Sequence, residues 1–240
     1  MTMRMIRIIG AWLLVLSLST GAQSATLKEV AEAIKAKDFE TALVQLQEMA
    51  AAGDQTGQFL LAMMYENGRG TEKNEAEALK WYRAAAEQGN ASAMNNLAQF
   101  YLKGKGTEAN PAEAVKWFRK AAEKGNAIAQ YNLGLRYAKG EGVEQDLKEA
   151  FSWYRKSAEQ GNRFGLFNVA YAYATGEGVD KDEVQAMKWA LLSADAGFKR
   201  GAQFAAFLKS KLTEEQVQLA QEQALAWKKA KSQVAEAPAN

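Results

Sequence analysis

The chain has 240 residues, with 30 Lys and Arg against 28 Asp and Glu, and neither cysteine nor histidine. Lack of cysteine excludes disulfides, thiol nucleophiles and thiolate metal sites; lack of histidine removes the commonest general base and the commonest metal ligand. Ala, Glu, Lys, Gln and Leu dominate and proline occurs only at Pro111 and Pro238, a composition that favours helix throughout.

Arg4 and Arg7 precede a short apolar run from Ile8 to Leu18, broken by Gly10 and Ser17. Ala22-Gln23-Ser24 then places small residues where a signal peptidase reads them, so residues 1–24 are expected to be an export signal cut after Ser24. The alternative is an uncleaved anchor, but the run is shorter than the roughly 20 apolar residues that a span needs. No stable membrane insertion is expected after cleavage, and a lipoprotein signal is ruled out because it needs a cysteine. Arg4 and Arg7 leave with the segment and no acid does, so 28 bases face 28 acids in the remainder. That balance gives no reason to expect nucleic acid as a partner.

Residues 25–54 carry a weak form of a pattern that becomes regular afterwards. Asp38, Ala42, Ala50 and Gly53 stand one step before Asn74, Ala78, Ala86 and Gly89, whereas Gln45 and Glu29 stand where later units have Trp and Tyr. From residue 55 to 198 the step is fixed at 36: Trp81, Trp117, Trp153 and Trp189; Tyr65, Tyr101, Tyr137 and Tyr173; and a Gly-x-Gly turn at Gly68, Gly104, Gly140 and Gly176. A period of this size means stacked units, each resting on its neighbours.

Residues 127–162 show one unit clearly. Leu133, Gly134 and Tyr137 share one helical face, and Gly140 follows the last turn, where a left-handed cap suits glycine. Gly142 permits the tight connection that follows. A second helix opens at Asp146 with Glu149 three residues on, the spacing of a reciprocal capping box; Asn74/Glu77, Asn110/Glu113 and Asp182/Gln185 repeat it. Pro111 sits just inside its cap, where a missing N–H is harmless. Ala150, Trp153 and Ala158 form the apolar stripe, Gly161 stops the helix and Asn162 caps the next. Small residues three before each Trp and each Tyr let helices approach, so the Trp column is expected to be core, each indole worth about 3–5 kcal/mol on truncation to Ala.

After the fourth unit, Phe198 replaces the capping Asn, and Thr213 with Gln216 opens a last long helix to about Lys231, with Trp227 two residues off the period. Residues 25–54 and 199–231 are read as degenerate caps that stop the stack growing, and residues 232–240 as a frayed tail.

The motif L-[AG]-x-x-Y, G-x-G, [ND]-x-x-[EQ]-A and W-[YF]-x-K-[AS]-A-E-x-G-N resembles the Sel1-like repeat, a relative of the tetratricopeptide repeat. Three units keep even the Ala-Glu-x-Gly-Asn ending, at Ala86–Asn90, Ala122–Asn126 and Ala158–Asn162. The resemblance implies an all-α superhelical solenoid of antiparallel helix pairs, with about four full repeats, that binds other proteins; exported bacterial members act as adaptors or regulators in the cell envelope.

By comparison with the tetratricopeptide pattern, two columns on the first helices should face a concave groove: Phe59, Asn95, Tyr131 and Phe167, then Met63, Gln99, Leu135 and Tyr171. Both vary from unit to unit, unlike the Trp and Tyr columns, and both are aromatic, apolar or amide, which suits a peptide segment with apolar anchors. The alternative is that these side chains fill interhelical gaps. Asn96, Asn132 and Asn168 are expected to tie unit to unit, and the Lys, Arg and Glu of the second helices to form a solvated outer face. No catalytic residue, cofactor or metal site is assigned, and a monomer is favoured. The expected function is a periplasmic or secreted protein-interaction scaffold. A secreted factor that meets a host protein, and an envelope glycan-acting enzyme built on paired carboxylates, are the alternatives.

Overall fold

The computed structural model describes residues 25–236, with side chains to 233; the expected export signal lies outside them. Among the described residues there are twelve α-helices and no strand. α1 (Leu27–Lys35) and α2 (Phe39–Ala51) form a first pair, and four pairs of equal build follow. Their first helices are α3 (Gln55–Asn67), α5 (Ala91–Lys103), α7 (Ala127–Lys139) and α9 (Arg163–Thr175). Their second helices are α4 (Glu75–Glu87), α6 (Pro111–Glu123), α8 (Leu147–Glu159) and α10 (Glu183–Asp195). α11 (Lys199–Lys209) and α12 (Glu214–Glu236) end the stack, α12 packing on α10 and running five residues past Lys231 into the stretch read as a tail. From α1 to α11 each helix packs mainly on its sequence neighbours, as expected of an all-α solenoid.

The eight helices of the four equal pairs are each 13 residues long, as is α2, because the same devices start and stop them. Asn90, Asn126 and Asn162 cap first helices by accepting from backbone N–H two to three residues on, and Asn74, Asn110, Asp146 and Asp182 do so for second helices. The reciprocal half of the expected capping box does not form in the second helices. There the cap's own N–H donates to the carbonyl of the column tyrosine: Asn74 to Tyr65 at 2.9 Å, Asn110 to Tyr101 at 2.7 Å, Asp146 to Tyr137 at 3.0 Å and Asp182 to Tyr173 at 2.9 Å. With that donor taken, Glu77 and Glu149 instead accept from the indole Nε1 of Trp81 and Trp153, at 3.1 and 2.8 Å. Glu113 turns to Lys116 and Gln185 to Gln223, leaving the buried Nε1 of Trp117 and Trp189 without a partner.

The Gly-x-Gly turn is what locks one unit to the one before it. Gly104 ends α5 in the left-handed region, at φ 68°. Gly106, at φ 62°, lies so close to the start of α4 that an added Cβ would stand 2.5 Å from the Glu75 carbonyl oxygen and 3.0 Å from Ala76 N. Gly70, Gly142 and Gly178 approach Phe39, Pro111 and Leu147 in the same way. The Phe39 case makes α2 the structural equivalent of a second helix, although Gln45 stands in its Trp position.

The core is a continuous column of small and large side chains. Trp189 is fully buried and Trp117 and Trp153 nearly so, but Trp81 is only half-buried. The aromatic after each of the first three column tryptophans is at least as deep: Tyr82 and Phe118 are 0% exposed and Tyr154 6%, while Ala190 follows Trp189. Those three were not picked out in the sequence, although the second letter of the W-[YF] pair marks them. Burial raises the Tyr82 phenol above its usual range, and its hydrogen bond to the Glu66 carboxylate, at 2.7 Å, acts the same way.

Candidate functional site

Successive first helices lie side by side, and the side chains that bridge them define a wall. Asn132 donates to Asn95 at 2.9 Å, joining α7 to α5. Tyr131 stacks on Phe164 with ring centres 5.4 Å apart, joining α7 to α9. Phe167 and Tyr171 meet Phe204 at 5.8 and 6.4 Å, joining α9 to α11. Phe198, in the N-cap position of α11, makes no capping hydrogen bond; it packs edge-on against Phe164 and Phe167 at 5.1 and 5.4 Å.

The eight groove candidates divide by exposure. Met63 and Tyr171 are exposed, at 38% and 43%. Phe59, Gln99, Tyr131, Leu135 and Phe167 are half-buried. Asn95 is 8% exposed and directs its amide to Asn132 and Asn96, so it presents little to solvent. Phe59 leans on Tyr82 at 6.0 Å and Tyr131 on Tyr154 at 6.1 Å, so each ring is held from beneath by the core aromatic of its own unit. Leu135 and Tyr171 share a cavity of about 190 Å³ between α7, α8 and α9, with Phe151, Tyr154, Asn168 and Glu177 in its walls.

The wall is larger than the two columns. Phe164, Phe198, Phe204 and the 55%-exposed Phe207 carry it across the last repeat and onto α11. Phe164, Phe198 and Phe204 fall outside the two chosen columns, whereas Phe207 continues the second one 36 residues after Tyr171; Phe198 reads in sequence only as a lost cap. A signal was present: five of the ten phenylalanines lie between residues 164 and 207. Burial raises the Tyr131 phenol, and the positive charges of Arg136 and Arg200 oppose the rise, so Arg200 on α11 is felt two first helices away.

The second-helix arginines are not simply a solvated face. Lys80–Glu77, Lys116–Glu113 and Arg155–Glu159 do pair within their helices. But Arg83 also donates to the Tyr101 hydroxyl at 2.7 Å, Arg119 to that of Tyr137 and Arg155 to that of Tyr173 at 3.4 Å, always 18 residues ahead. Each pair joins one second helix to the next first helix. Among the described residues no group of His, Cys, Asp and Glu is placed to hold a metal ion, and no helix is long and apolar enough to cross a membrane.

The Sel1 repeat family model matches residues 56–90, 91–126, 127–162 and 164–198. The chain belongs to the Sel1 repeat family. A Sel1 repeat protein from Oxalobacter formigenes is 34% identical over 87% of this chain and 85% of its own, with a TM-score of 0.72. A protective antigen of uropathogenic Escherichia coli with the same fold is 34% identical over 83% of this chain, with a TM-score of 0.73; this chain spans 44% of its length. No curated protein matches. Sel1 repeat proteins generally serve as scaffolds for protein–protein interaction and are typically non-enzymatic.

Proposed function

We propose that this Sel1 repeat protein is an exported scaffold that binds a protein partner on its first-helix wall, in the periplasm. The observation that carries the reading is the unbroken aromatic strip from Tyr131 to Phe207. Its rings bridge three first helices, and two of its members, Tyr171 and Phe207, are about half exposed. Fixed columns pack and varied columns are free to recognise, which supports Tyr131, Leu135, Phe167 and Tyr171 as contact residues, with Phe59, Met63 and Gln99 continuing the wall. The leader pattern of residues 1–24 supports export.

Crosslinking in intact cells, followed by recovery of the protein and of its Tyr131→Ala/Tyr171→Ala variant, tests the wall. The variant is expected to lose specific partners that the unaltered protein retains, and equal recovery of the same partners refutes the reading. Likeness to the protective antigen favours a second reading, release from the cell to meet a host protein. Recovery from culture supernatant instead of the periplasmic fraction decides for it.

A further inference from the structure

Acidic residues drop out of the first helices after α3, which holds Glu66. α5, α7, α9 and α11 contain no Asp or Glu, yet hold Lys103, Arg136, Lys139, Arg163, Lys199, Arg200 and Lys209. Each of α4, α6, α8 and α10 holds two or three carboxylates. The sorting is sharpest beside the aromatic strip. Arg163, Lys199 and Arg200 are exposed and make no ion pair among the described residues. Two carboxylates near them in sequence are engaged elsewhere: Glu159 with Arg155 at 3.1 Å, and Asp195 with Lys228 at 2.7 Å. The Arg163 guanidinium lies 4.9 Å from the centre of the Phe164 ring, which in turn stacks on Tyr131 and meets Phe198. Arg163 thus borders the apolar strip, and Arg200 is near enough for its charge to act on Tyr131.

We infer that the partner segment is an acidic peptide with aromatic or large aliphatic anchors, seated on the wall of α7, α9 and α11. This rests on the wall being the binding face. The anchors lie on the strip formed by Tyr131, Phe164, Phe167 and Phe204, and the carboxylates meet Arg163 and Arg200. Opposite charge selects the partner and its direction along the wall, while the apolar anchors supply most of the affinity. A basic segment of the same apolar content is repelled, since it would bring like charges together with no acid on these helices to relieve them.

The probe is a displayed library of random short peptides, selected on protein purified from cells expressing the full chain. The selected peptides are expected to be rich in Asp and Glu around Phe, Trp, Tyr or Leu. They should bind Arg163→Glu/Arg200→Glu at least about tenfold more weakly, and weaken as salt rises, as exposed charge pairs do. They should also weaken on Phe167→Ser/Tyr171→Ser, with circular dichroism confirming that both variants stay folded. Neutral or basic peptides that still depend on Phe167 and Tyr171 overturn the acidic partner but leave the wall as binding face. Peptides indifferent to both variants overturn the wall and the inference together. A selection that yields no binder overturns the inference.

Discussion

Replacing Gly106 by alanine tests whether the Gly-x-Gly turns hold the stack together. The residue has φ 62°, and an alanine there costs about 1–2 kcal/mol for a left-handed backbone alone. Its Cβ would also lie 2.5 Å from the Glu75 carbonyl oxygen, 2.7 Å from the carbonyl carbon and 3.0 Å from Ala76 N. All three are backbone atoms of a helix start and cannot swing aside, so the loop must lift off α4, adding about 1–3 kcal/mol as overpacking does elsewhere. Gly125→Ala in the same unit is the control. Its φ is 84°, and an added Cβ would meet nothing within 4 Å, so it carries the backbone cost without the clash. Urea unfolding followed by far-ultraviolet circular dichroism should place Gly106→Ala below Gly125→Ala by about 1–3 kcal/mol. Amide exchange should quicken at the first turn of α4 in the former only. Equal destabilisation by the two substitutions would refute the claim that close loop approach couples the units.

Trp189→Ala should cost about 3–5 kcal/mol and Trp81→Ala clearly less in the same urea assay, because the first indole is fully buried and the second is not. Gly165→Ala brings a Cβ within 2.8 Å of the Ser157 side chain and should destabilise by about 1–3 kcal/mol. Ser157→Ala loses its 2.6 Å hydrogen bond to the Ala127 carbonyl, worth about 1 kcal/mol. The double variant recreates the Ala121/Ala129 pairing of the preceding unit, so its cost should fall short of the summed singles, as a double-mutant cycle will reveal. Burial, and then the charge of Arg155, hold the Lys188 ammonium below its ordinary 10.5. A base depressed in the folded state penalises folding while it is charged in both states, and the penalty fades as pH rises through the window below 10.5. Lys188→Met should therefore be more stable than the unaltered protein at pH 7, and the difference should shrink as thermal melts are taken towards pH 10.5.

The fold was legible because its determinants recur: a Trp, a Tyr, two glycines and two caps in fixed register leave little besides stacked helix pairs. What escaped was the connection between units. Arg83 and Tyr101, Arg119 and Tyr137, and Arg155 and Tyr173 keep an 18-residue offset that is plain in the sequence, yet an arginine on an amphipathic helix reads as solvated. Small-for-large exchange was also written there. Ala85 and Ala121 face Ala93 and Ala129, whereas Met49, Ser157 and Ser193 face Gly57, Gly165 and Gly201. Neither relation lies within one helix, so helical periodicity could not disclose it. The aromatic wall was half visible. The varied columns pointed to Tyr131, Phe167 and Tyr171, but Phe198 and Phe204 join them only because the stack brings three helices abreast.

Two buried glutamines make alternate joints of the stack unlike the ones between them. Gln88 donates to Gln58, and Gln160 to Gln130, each at 2.7 Å; Gln58 and Gln130 in turn donate to the carbonyls of Ala50 and Ala122. The intervening units have Met94 and Leu166 at the same position. Amide and hydrocarbon therefore alternate along the array with twice the period of the repeat. Gln58 and Gln88 belong to one helix pair and Gln130 and Gln160 to another, so each amide chain runs from the end of a pair's second helix, through its first helix, to a backbone carbonyl of the pair before. Alternate joints of the array are therefore polar clasps, and replacing Gln88 or Gln160 by leucine removes a partner of the facing buried amide, at about 1–3 kcal/mol, at those joints alone.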